Sequence, residues 1–313
     1  EIYTLSLHDA LPIWSATAPL TITGLTAGDR YRVVAYPNNT PGSILKKLST
    51  EDGMGNIKTD VARLNSVLQW GTNKWKELAK AFRGCLRMSI VFSNTYDRPN
   101  DRPDLSELTG NKSLNSMFEG CEALIYGVGG WDVRNVTDMS RMFFGAKAFN
   151  GNLNSWDVQN VTNMSSMFEG AEAFNRDLNR WNVQNVTDMS AMFKGASSFD
   201  QSLPLWTLKS VTNAESMFHA DPNKGMSCMN YYHTLQMWAS NPLTNTGVNF
   251  GGQANRQYNI IGKDARDMLM KPVANGGKGW TISGDTYDQY CGVEYVWTGA
   301  ADQIGRASCR ERV

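Results

Sequence analysis

The sequence predicts an α/β repeat protein: a right-handed solenoid in which each 25-residue rung contributes one short strand and one short helix. Two observations indicate this fold class. Tryptophan recurs every 25 residues, and the segment after each one follows the pattern Trp-Asp-Val-x-Asn-Val-Thr-x-Met-Ser-x-Met-Phe. Such a period is typical of arrays in which each repeat packs only against its neighbours. The tryptophans that set the period are Trp131, Trp156, Trp181 and Trp206.

Each unit predicts a strand and then a helix. The segment Trp-x-Val-x-x-Val alternates apolar residues and is long enough for one short strand. Thr137 then stands as an N-cap, and Met139, Met142 and Phe143 fall at i, i+3 and i+4 on one helical face. Gly145 stands where a left-handed C-cap would end this helix. A two-turn helix buries its face only by stacking on the next rung.

Two degenerate units precede the regular ones. Phe118 matches Phe143, and Phe82 matches Phe118 at a separation of 36 residues, so the first unit carries an 11-residue insertion relative to the period. A shortened unit that begins at Trp206 closes the series. Six units are visible, and we expect them to form one solenoid over residues 66–220.

Two cysteines occupy equivalent positions in neighbouring units, Cys85 and Cys121. Stacking of these units would bring their Cα atoms within about 7 Å, inside the range of a disulfide. Two alternatives stay open: a buried, reduced pair that packs like the alanines found here in other units, or a bridge. Cys228 and Cys291 are the rival pair.

Upstream of the repeats, we expect an N-terminal β segment over residues 14–65. Residues 20–37 alternate apolar and polar side chains across a Thr-Ala-Gly-Asp turn, which is typical of a β-hairpin. This hairpin is interpreted either as a small β cap on the solenoid or as a remnant of a β-sandwich.

Downstream, residues 221–290 predict an α/β cap. Helices are expected around Tyr231–Trp238 and 262–272, and strands around 248–252 and 279–282. The cap would cover the open end of the stack, whose unpaired edge would otherwise aggregate.

The two ends are interpreted as translated sequencing adapter and not as native protein. The codons ACT CTT TCC CTA CAC GAC GCT CTT CCG ATC encode Thr4–Ile13, and their reverse complement, read one base in, encodes Ile304–Val313. We therefore expect residues 1–13 and 304–313 to lack hydrophobic packing. Residues 291–303 are interpreted as a linker.

The repeated motif resembles that of the BspA-like leucine-rich-repeat surface proteins. The resemblance is close over residues 131–220 and weaker over 70–130, where Ser106 replaces the expected tryptophan. It implies a leucine-rich-repeat-like solenoid with a C-terminal cap. It also implies a location on the cell surface or outside the cell, and a role in adhesion or binding.

Composition and motifs favour a non-catalytic protein. The formal net charge is zero, which argues against a nucleic-acid partner. No apolar stretch is long enough to span a bilayer, and no phosphate-binding, zinc-protease or serine-hydrolase motif is present. His219 and His233 are expected to be surface or packing residues. We therefore predict no catalytic residue, no metal and no cofactor.

The exposed positions of the predicted strands are the candidate binding surface. The preferred hypothesis is a cell-surface or secreted binding module for an extracellular protein or glycan, and the alternative is a purely structural spacer. Side chains at these positions vary between units, as those of a recognition surface or of a solvated face would. The candidate ligand-binding residues are Asp132, Arg134, Asp157, Gln159, Asn182, Gln184 and Lys209.

Asn-Val-Thr occurs once per unit, at Asn135, Asn160 and Asn185. It is either a glycosylation acceptor or part of the turn that leads into the helix. The turn is the preferred interpretation.

Overall fold

The computed structural model describes residues 2–6, 30–34, 66–67, 75, 77–90, 102–108 and 112–291. In these residues the helices are α1 (Cys228–Ser240) and α2 (Ile260–Met270), and a 3-10 helix covers Val273–Asn275. Every described strand pairing is parallel. The pairs are β1 (Ile2–Ser6) with β2 (Arg30–Val34), β3 (Ser66–Val67) with β4 (Ser89–Ile90), β5 (Asn249–Phe250) with β7 (Thr281–Ile282), and β6 (Gln257–Tyr258) with β8 (Thr286–Tyr287).

Residues 112–220 form a stack of units that contains no α-helix. One residue in each unit makes a parallel bridge to the equivalent residue of the next unit, and most bridge partners lie 25 residues apart. The units therefore lie in register at the period of the sequence. The bridged residues are Ser113, Asp138, Asn163, Asp188, Asn213 and, beyond the repeats, Asn249.

The predicted two-turn helix in each unit is wrong, because consecutive turns take its place. The N–H of Met142 donates to the carbonyl of Met139 at 3.2 Å, within the unit. The N–H of Arg141 instead donates to Ser165 in the next unit at 2.9 Å. Arg141 also has a φ of 55°, which no α-helix accommodates. Alternate N–H groups thus serve the turn and the neighbouring unit, so none remains for an i to i−4 ladder.

The predicted strand and the predicted N-cap are also displaced. The segment after Trp131 contains a turn, in which the N–H of Val136 donates to Val133 at 2.9 Å, and the inter-unit bridge falls at Asp138. Asp138 also caps the following turn, because its Oδ1 accepts from the N–H of Ser140 at 2.9 Å. The threonine expected to cap instead links units: Thr162 Oγ1 donates to the Thr137 carbonyl at 3.1 Å.

Aromatic columns fill the core of the stack. The predicted tryptophan ladder is confirmed for Trp156, Trp181 and Trp206, whose rings stack with successive centroids 6.4 Å apart. Trp131 is buried and packs on Phe118 with centroids 5.9 Å apart. A second column runs parallel to the ladder, with neighbouring rings 5.6–5.9 Å apart. This column contains Phe82, Phe118, Phe143, Phe168, Phe193 and Phe218.

The first unit stacks with the 36-residue offset that the sequence indicates. The N–H of Gly84 donates to the Glu119 carbonyl at 2.7 Å, as glycines at this position do in later units. Cys85 and Cys121 are buried free thiols, and the Cys121 thiol donates to the Phe82 carbonyl at 3.1 Å. Of the two alternatives, the structure has the reduced pair. Burial raises the pKa of Cys85 to about 12, and it raises the pKa of Cys121 further.

The order helix, strand, helix, strand expected after residue 220 is confirmed by α1, β5, α2 and β7. This region continues the stack. The indole N–H of Trp238 in α1 donates to the Leu203 carbonyl at 3.2 Å, just as that of Trp206 donates to Leu178 at 2.9 Å. Trp238 therefore occupies the next position of the tryptophan ladder. The short strands β6 and β8 were not expected from the sequence.

A disulfide joins Cys228, the first residue of α1, to Cys291, with Cα atoms 5.7 Å apart. The carbonyl of Cys291 also accepts a hydrogen bond from Asn259 Nδ2 at 3.0 Å. Asn259 is the N-cap of α2, since its Oδ1 accepts from Ile261 and Gly262. One bridge thus fastens the ends of both helices to the segment that follows β8.

Several predictions fall outside the described residues. The predicted lack of hydrophobic packing at the two ends is one of them, because it concerns residues 304–313 and the side chains of residues 1–13. The predicted linker beyond Cys291 is another. Of the predicted hairpin, only Arg30–Val34 is described, and it pairs with Ile2–Ser6 in parallel.

Left-handed backbone at two positions of each regular unit from 131 to 205 gives a first prediction. Gly170 has a φ of +70°, and a Cβ there would meet only ordinary contact at 3.6 Å from Gly145 Cα. Gly170→Ala should therefore cost about 1–2 kcal/mol through backbone strain alone. Ala191 has a φ of +52°, so Ala191→Gly should be neutral or stabilising by up to about 1 kcal/mol. The midpoints of urea unfolding measure the stability change of each variant. Equal shifts of the two midpoints in the same direction would contradict the positive φ at these positions.

Glu119 gives a second prediction, because Arg83 and Arg141 from the two neighbouring units both pair with it, at 3.1 and 2.9 Å. Burial raises the pKa of Glu119, but hydrogen bonds from Arg141 and Ser116 and the charges of both arginines outweigh burial and leave the pKa lowered. The stabilisation from Glu119 is thus present above its unfolded pKa of about 4.3 and lost as pH falls through the lower folded value.

Unfolding of wild type and Glu119→Gln should be compared from pH 7 to pH 3. The difference in free energy of unfolding should shrink on acidification, since the wild-type carboxylate becomes protonated. A difference that is constant across this range would show that the ionised form contributes nothing. The exposed Glu172→Gln serves as the matched control.

The disulfide gives a third prediction. The chain has five cysteines, so denatured but unreduced protein should titrate three thiols. Replacing Cys228 and Cys291 by serine should lower the free energy of unfolding by up to about 4 kcal/mol, given the 63-residue separation. Reduction should destabilise the wild type and leave the double variant unchanged. Five titrating thiols would refute the bridge.

Candidate ligand-binding surface

The predicted ligand-binding residues lie in the loops between each tryptophan and the following threonine. In the first regular loop, Trp131, Val133 and Val136 are buried, and Asp132 and Arg134 between them are exposed. The same alternation recurs in the next three units. All seven predicted residues are exposed or half-buried, and they lie at two equivalent positions of successive loops: Asp132, Asp157 and Asn182 at the first, and Arg134, Gln159, Gln184 and Lys209 at the second.

Neighbouring loops are tied together, so they form one surface. Asn160 Nδ2 donates to the Arg134 carbonyl at 2.8 Å, and Asn185 Nδ2 donates to the Gln159 carbonyl at 2.7 Å. The second and third loops are thereby fixed to the loop before each of them, and the fourth is held from the cap, where the N–H of Asn245 donates to the Leu208 carbonyl at 2.8 Å. We refer to residues 132–135, 157–160, 182–185 and 207–210 together as the loop column.

The first predicted position of each loop has a structural role. Asp157 Oδ1 accepts from the N–H of Gln159 at 3.2 Å, and Asn182 Oδ1 accepts from Gln184 at 3.3 Å. Aspartate and asparagine both supply this oxygen, which explains why they interchange here. The variation that suggested recognition is thus partly a requirement of the turn. These contacts also hold the loop in one conformation.

The first loop carries an ion pair within itself. Arg134 Nη2 lies 2.7 Å from Asp132 Oδ2, and Arg134 Nε lies 2.9 Å from Asp132 Oδ1. The hydrogen bond from Arg134 lowers the pKa of Asp132 and correspondingly raises that of Arg134. Both side chains are more than half exposed, so the pair adds little stability. It neutralises the charge at this end of the loop column.

Three predicted side chains remain available to a ligand. Within the part of the chain that the structure describes, no hydrogen bond or ion pair engages the amides of Gln159 and Gln184 or the ammonium of Lys209. They hold the second position in consecutive loops, and in the loops of Gln159 and Gln184 the polar residues on either side are already engaged. The side chains available to a ligand are therefore attached to a backbone that hydrogen bonds hold in place.

The Asn-Val-Thr motif is explained by stacking. Asn160 and Asn185 use Nδ2 to bind the preceding loop, and Thr187 Oγ1 donates to the Thr162 carbonyl at 3.0 Å. The asparagines lie in a turn, as the preferred interpretation states, because residues 159–160 and 184–185 are turn residues. The motif does not lead into a helix or supply an N-cap; its side chains link neighbouring units instead. The hydrogen-bond partners of these side chains lie 25 or 26 residues away in the sequence. The sequence of the turn alone therefore could not identify them.

A buried polar cluster in the cap escaped the sequence analysis. Asp285 has no exposed side-chain surface, accepts from Arg266 at 3.0–3.1 Å, and accepts from the Tyr231 hydroxyl at 3.0 Å. Burial and the Asp285 charge raise the pKa of Tyr231 well above its usual value. The cluster joins α1, α2 and the turn before β8, and its groups satisfy one another. It therefore holds the cap together.

The two histidines expected to be surface or packing residues lie in different parts of the chain. His219 is half-buried, with Nδ1 3.2 Å from the Gly252 carbonyl, and His233 is exposed on α1. The described residues contain no group of three or more His, Cys, Asp or Glu side chains arranged to hold a metal ion. Among those same residues, no helix has the length and apolar character needed to cross a membrane.

Comparison with known proteins gives one family. Residues 112–253 match the family described as "Mycoplasma protein of unknown function, DUF285". The matched region runs from the unit before the first regular loop to the segment just after β5, so it contains the whole loop column. No curated protein and no solved structure matches the chain.

Proposed function

We propose that the chain is a non-catalytic binding or adhesion module of a cell-surface or secreted protein, and that the loop column is its ligand-binding surface. The observation that carries this proposal is the combination of a fixed backbone with free polar side chains. Gln159, Gln184 and Lys209 occupy one position of consecutive loops; hydrogen bonds join the loops of Gln159 and Gln184 to their neighbours, and the cap residue Asn245 binds the backbone of the loop that carries Lys209. Binding to such a surface orders few further groups, which lowers its entropic cost.

The stack is proposed to be a right-handed, leucine-rich-repeat-like solenoid of the BspA-like type. The series of parallel bridges one repeat apart supports this interpretation, as does the continuous aromatic core. In repeat proteins of this kind the exposed face of successive units forms an extended binding surface. The resemblance of the repeated motif to surface adhesion proteins supports the same role.

The disulfide supports a location outside the reducing cytosol. Bridges such as Cys228–Cys291 form and persist mainly in oxidising compartments and at cell surfaces. The zero formal net charge also fits a partner that is not a polyanion. We propose an extracellular protein or glycan as that partner.

The proposal is tested by binding of the purified chain to immobilised extracellular-matrix proteins and to glycan-coated surfaces. The variant Gln159→Ala/Gln184→Ala/Lys209→Ala should weaken binding about tenfold or more, since it removes three polar heads without touching the capping residues. Its thermal unfolding should match wild type, because no hydrogen bond or ion pair engages these heads within the described structure.

The matched control changes three exposed residues outside the loop column: Glu172→Ala/His233→Ala/Gln236→Ala. It should bind as wild type does. Equal binding by both triple variants would place the ligand elsewhere. No binding to any surface by wild type would favour the structural spacer.

A further inference from the structure

We propose that the ligand of the loop column is a neutral, linear polysaccharide, and this inference rests on the proposed function. The column offers a polar group at the same position of each unit, and the units lie in register at 25-residue steps. A polymer with its own short repeat can meet several units at once. The chemistry of the exposed groups decides which polymer is favoured.

The free groups of the two central loops are carboxamides. Gln159 and Gln184 each present one acceptor oxygen and two donor hydrogens. Their loops are adjacent, because Asn185 Nδ2 binds the Gln159 carbonyl at 2.7 Å. Sugar hydroxyls likewise donate and accept at once, so each amide can satisfy a hydroxyl pair in both senses. Groups of a single polarity, such as sulfate or ammonium, would leave half of this capacity unused.

Charge on the loop column argues against an ionic polymer. Asp132 and Arg134 neutralise each other at 2.7 Å. The other charged side chains are Asp157 and Lys209, one of each sign, and the central loop at 182–185 carries none. A polyanion requires a run of cations, which this surface lacks. The column therefore suits an uncharged ligand.

The absence of apolar anchors argues against a folded protein partner. Protein interfaces take most of their affinity from a few buried aromatic, aliphatic or arginine side chains. The loop column, all of which the structure describes, has no large exposed apolar residue. Its only arginine, Arg134, is already paired. Affinity must come from many equivalent polar contacts, so it should grow with the length of the ligand.

Binding along a repeated surface predicts this length dependence directly. A short oligosaccharide reaches one or two loops, whereas a longer chain engages the three loops that carry Gln159, Gln184 and Lys209, and each added contact is intramolecular. Affinity per mole of chain should therefore rise at least about tenfold from a disaccharide to a long polymer of the same linkage. A single deep pocket would instead saturate with one or two sugar rings.

The experiment is a binding screen of the intact chain against immobilised neutral polysaccharides of differing linkage: dextran, mannan, xylan and β-glucan. Dextran sulfate serves as the charged counterpart of dextran, and enzymatically deglycosylated matrix proteins as the protein arm. At least one neutral polysaccharide should bind and show the length dependence. Gln159→Ala/Gln184→Ala should reduce its affinity about tenfold, whereas the control Glu172→Ala/Gln236→Ala should not change it.

The alternative outcomes separate this inference from the proposed function. Binding to deglycosylated protein alone, lost in Gln159→Ala/Gln184→Ala, would retain the loop column as the binding surface and overturn the polysaccharide. Binding to dextran sulfate alone, abolished by salt, would overturn it in favour of a polyanion. Binding in no arm would overturn both proposals. Matching circular dichroism and melting curves of the two double variants exclude misfolding as the cause of any loss.

Discussion

Backbone hydrogen bonds between neighbouring units are the interaction on which the rest of the stack depends. In each regular unit four alternate N–H groups, at positions equivalent to Met139, Arg141, Phe143 and Gly145, donate to the next unit at 2.7–2.9 Å. The N–H groups between them close turns within the unit. Every donor of this segment is thus used, which a buried backbone requires. The arrangement fixes the separation of the units and hence of everything attached to them.

The same constraint explains the conformation and composition of each unit. Successive N–H groups donate in turn within the unit and to the next unit, and the chain bends at two points to allow this. The backbone has positive φ at both points, Arg141 (55°) and Gly145 (65°) in one unit. Between these bends Met142 and Phe143 enter the core, where the phenylalanine rings stack at the spacing that the hydrogen bonds set. Replacing one such buried phenylalanine by alanine typically costs about 3–5 kcal/mol. The stacking of the core side chains and the hydrogen bonds of the backbone therefore both require the same repeat period.

The sequence allowed the period, the register and the core to be predicted, but not the path of the backbone. Buried positions could be predicted because tryptophan and phenylalanine recur at fixed positions in the regular units. The helix was wrong because Met139, Met142 and Phe143 at i, i+3 and i+4 reach the core equally well from consecutive turns, and only Arg141 at positive φ distinguishes the two. Helices α1 and α2 could be predicted because the 25-residue motif is absent from their sequences, so the local spacing of apolar residues determines the conformation. The predicted residues lie at exposed or half-buried positions of successive loops, but the capping role of the Asp and Asn residues depends on geometry that the sequence does not display.

The separation of structural from available side chains follows from this backbone. In the loops at 157–160 and 182–185 the first polar residue caps the turn, the third polar residue binds the preceding loop, and the residue between them makes no side-chain hydrogen bond. That middle position changes from Arg134 to Gln159, Gln184 and Lys209, whereas in the first three loops its neighbours change only between Asp and Asn at the first position and stay Asn at the third. Substitution at this middle position alone should therefore leave the stability of the stack unchanged. This freedom at one position, among fixed ones, is the physical reason to place recognition in the loop column.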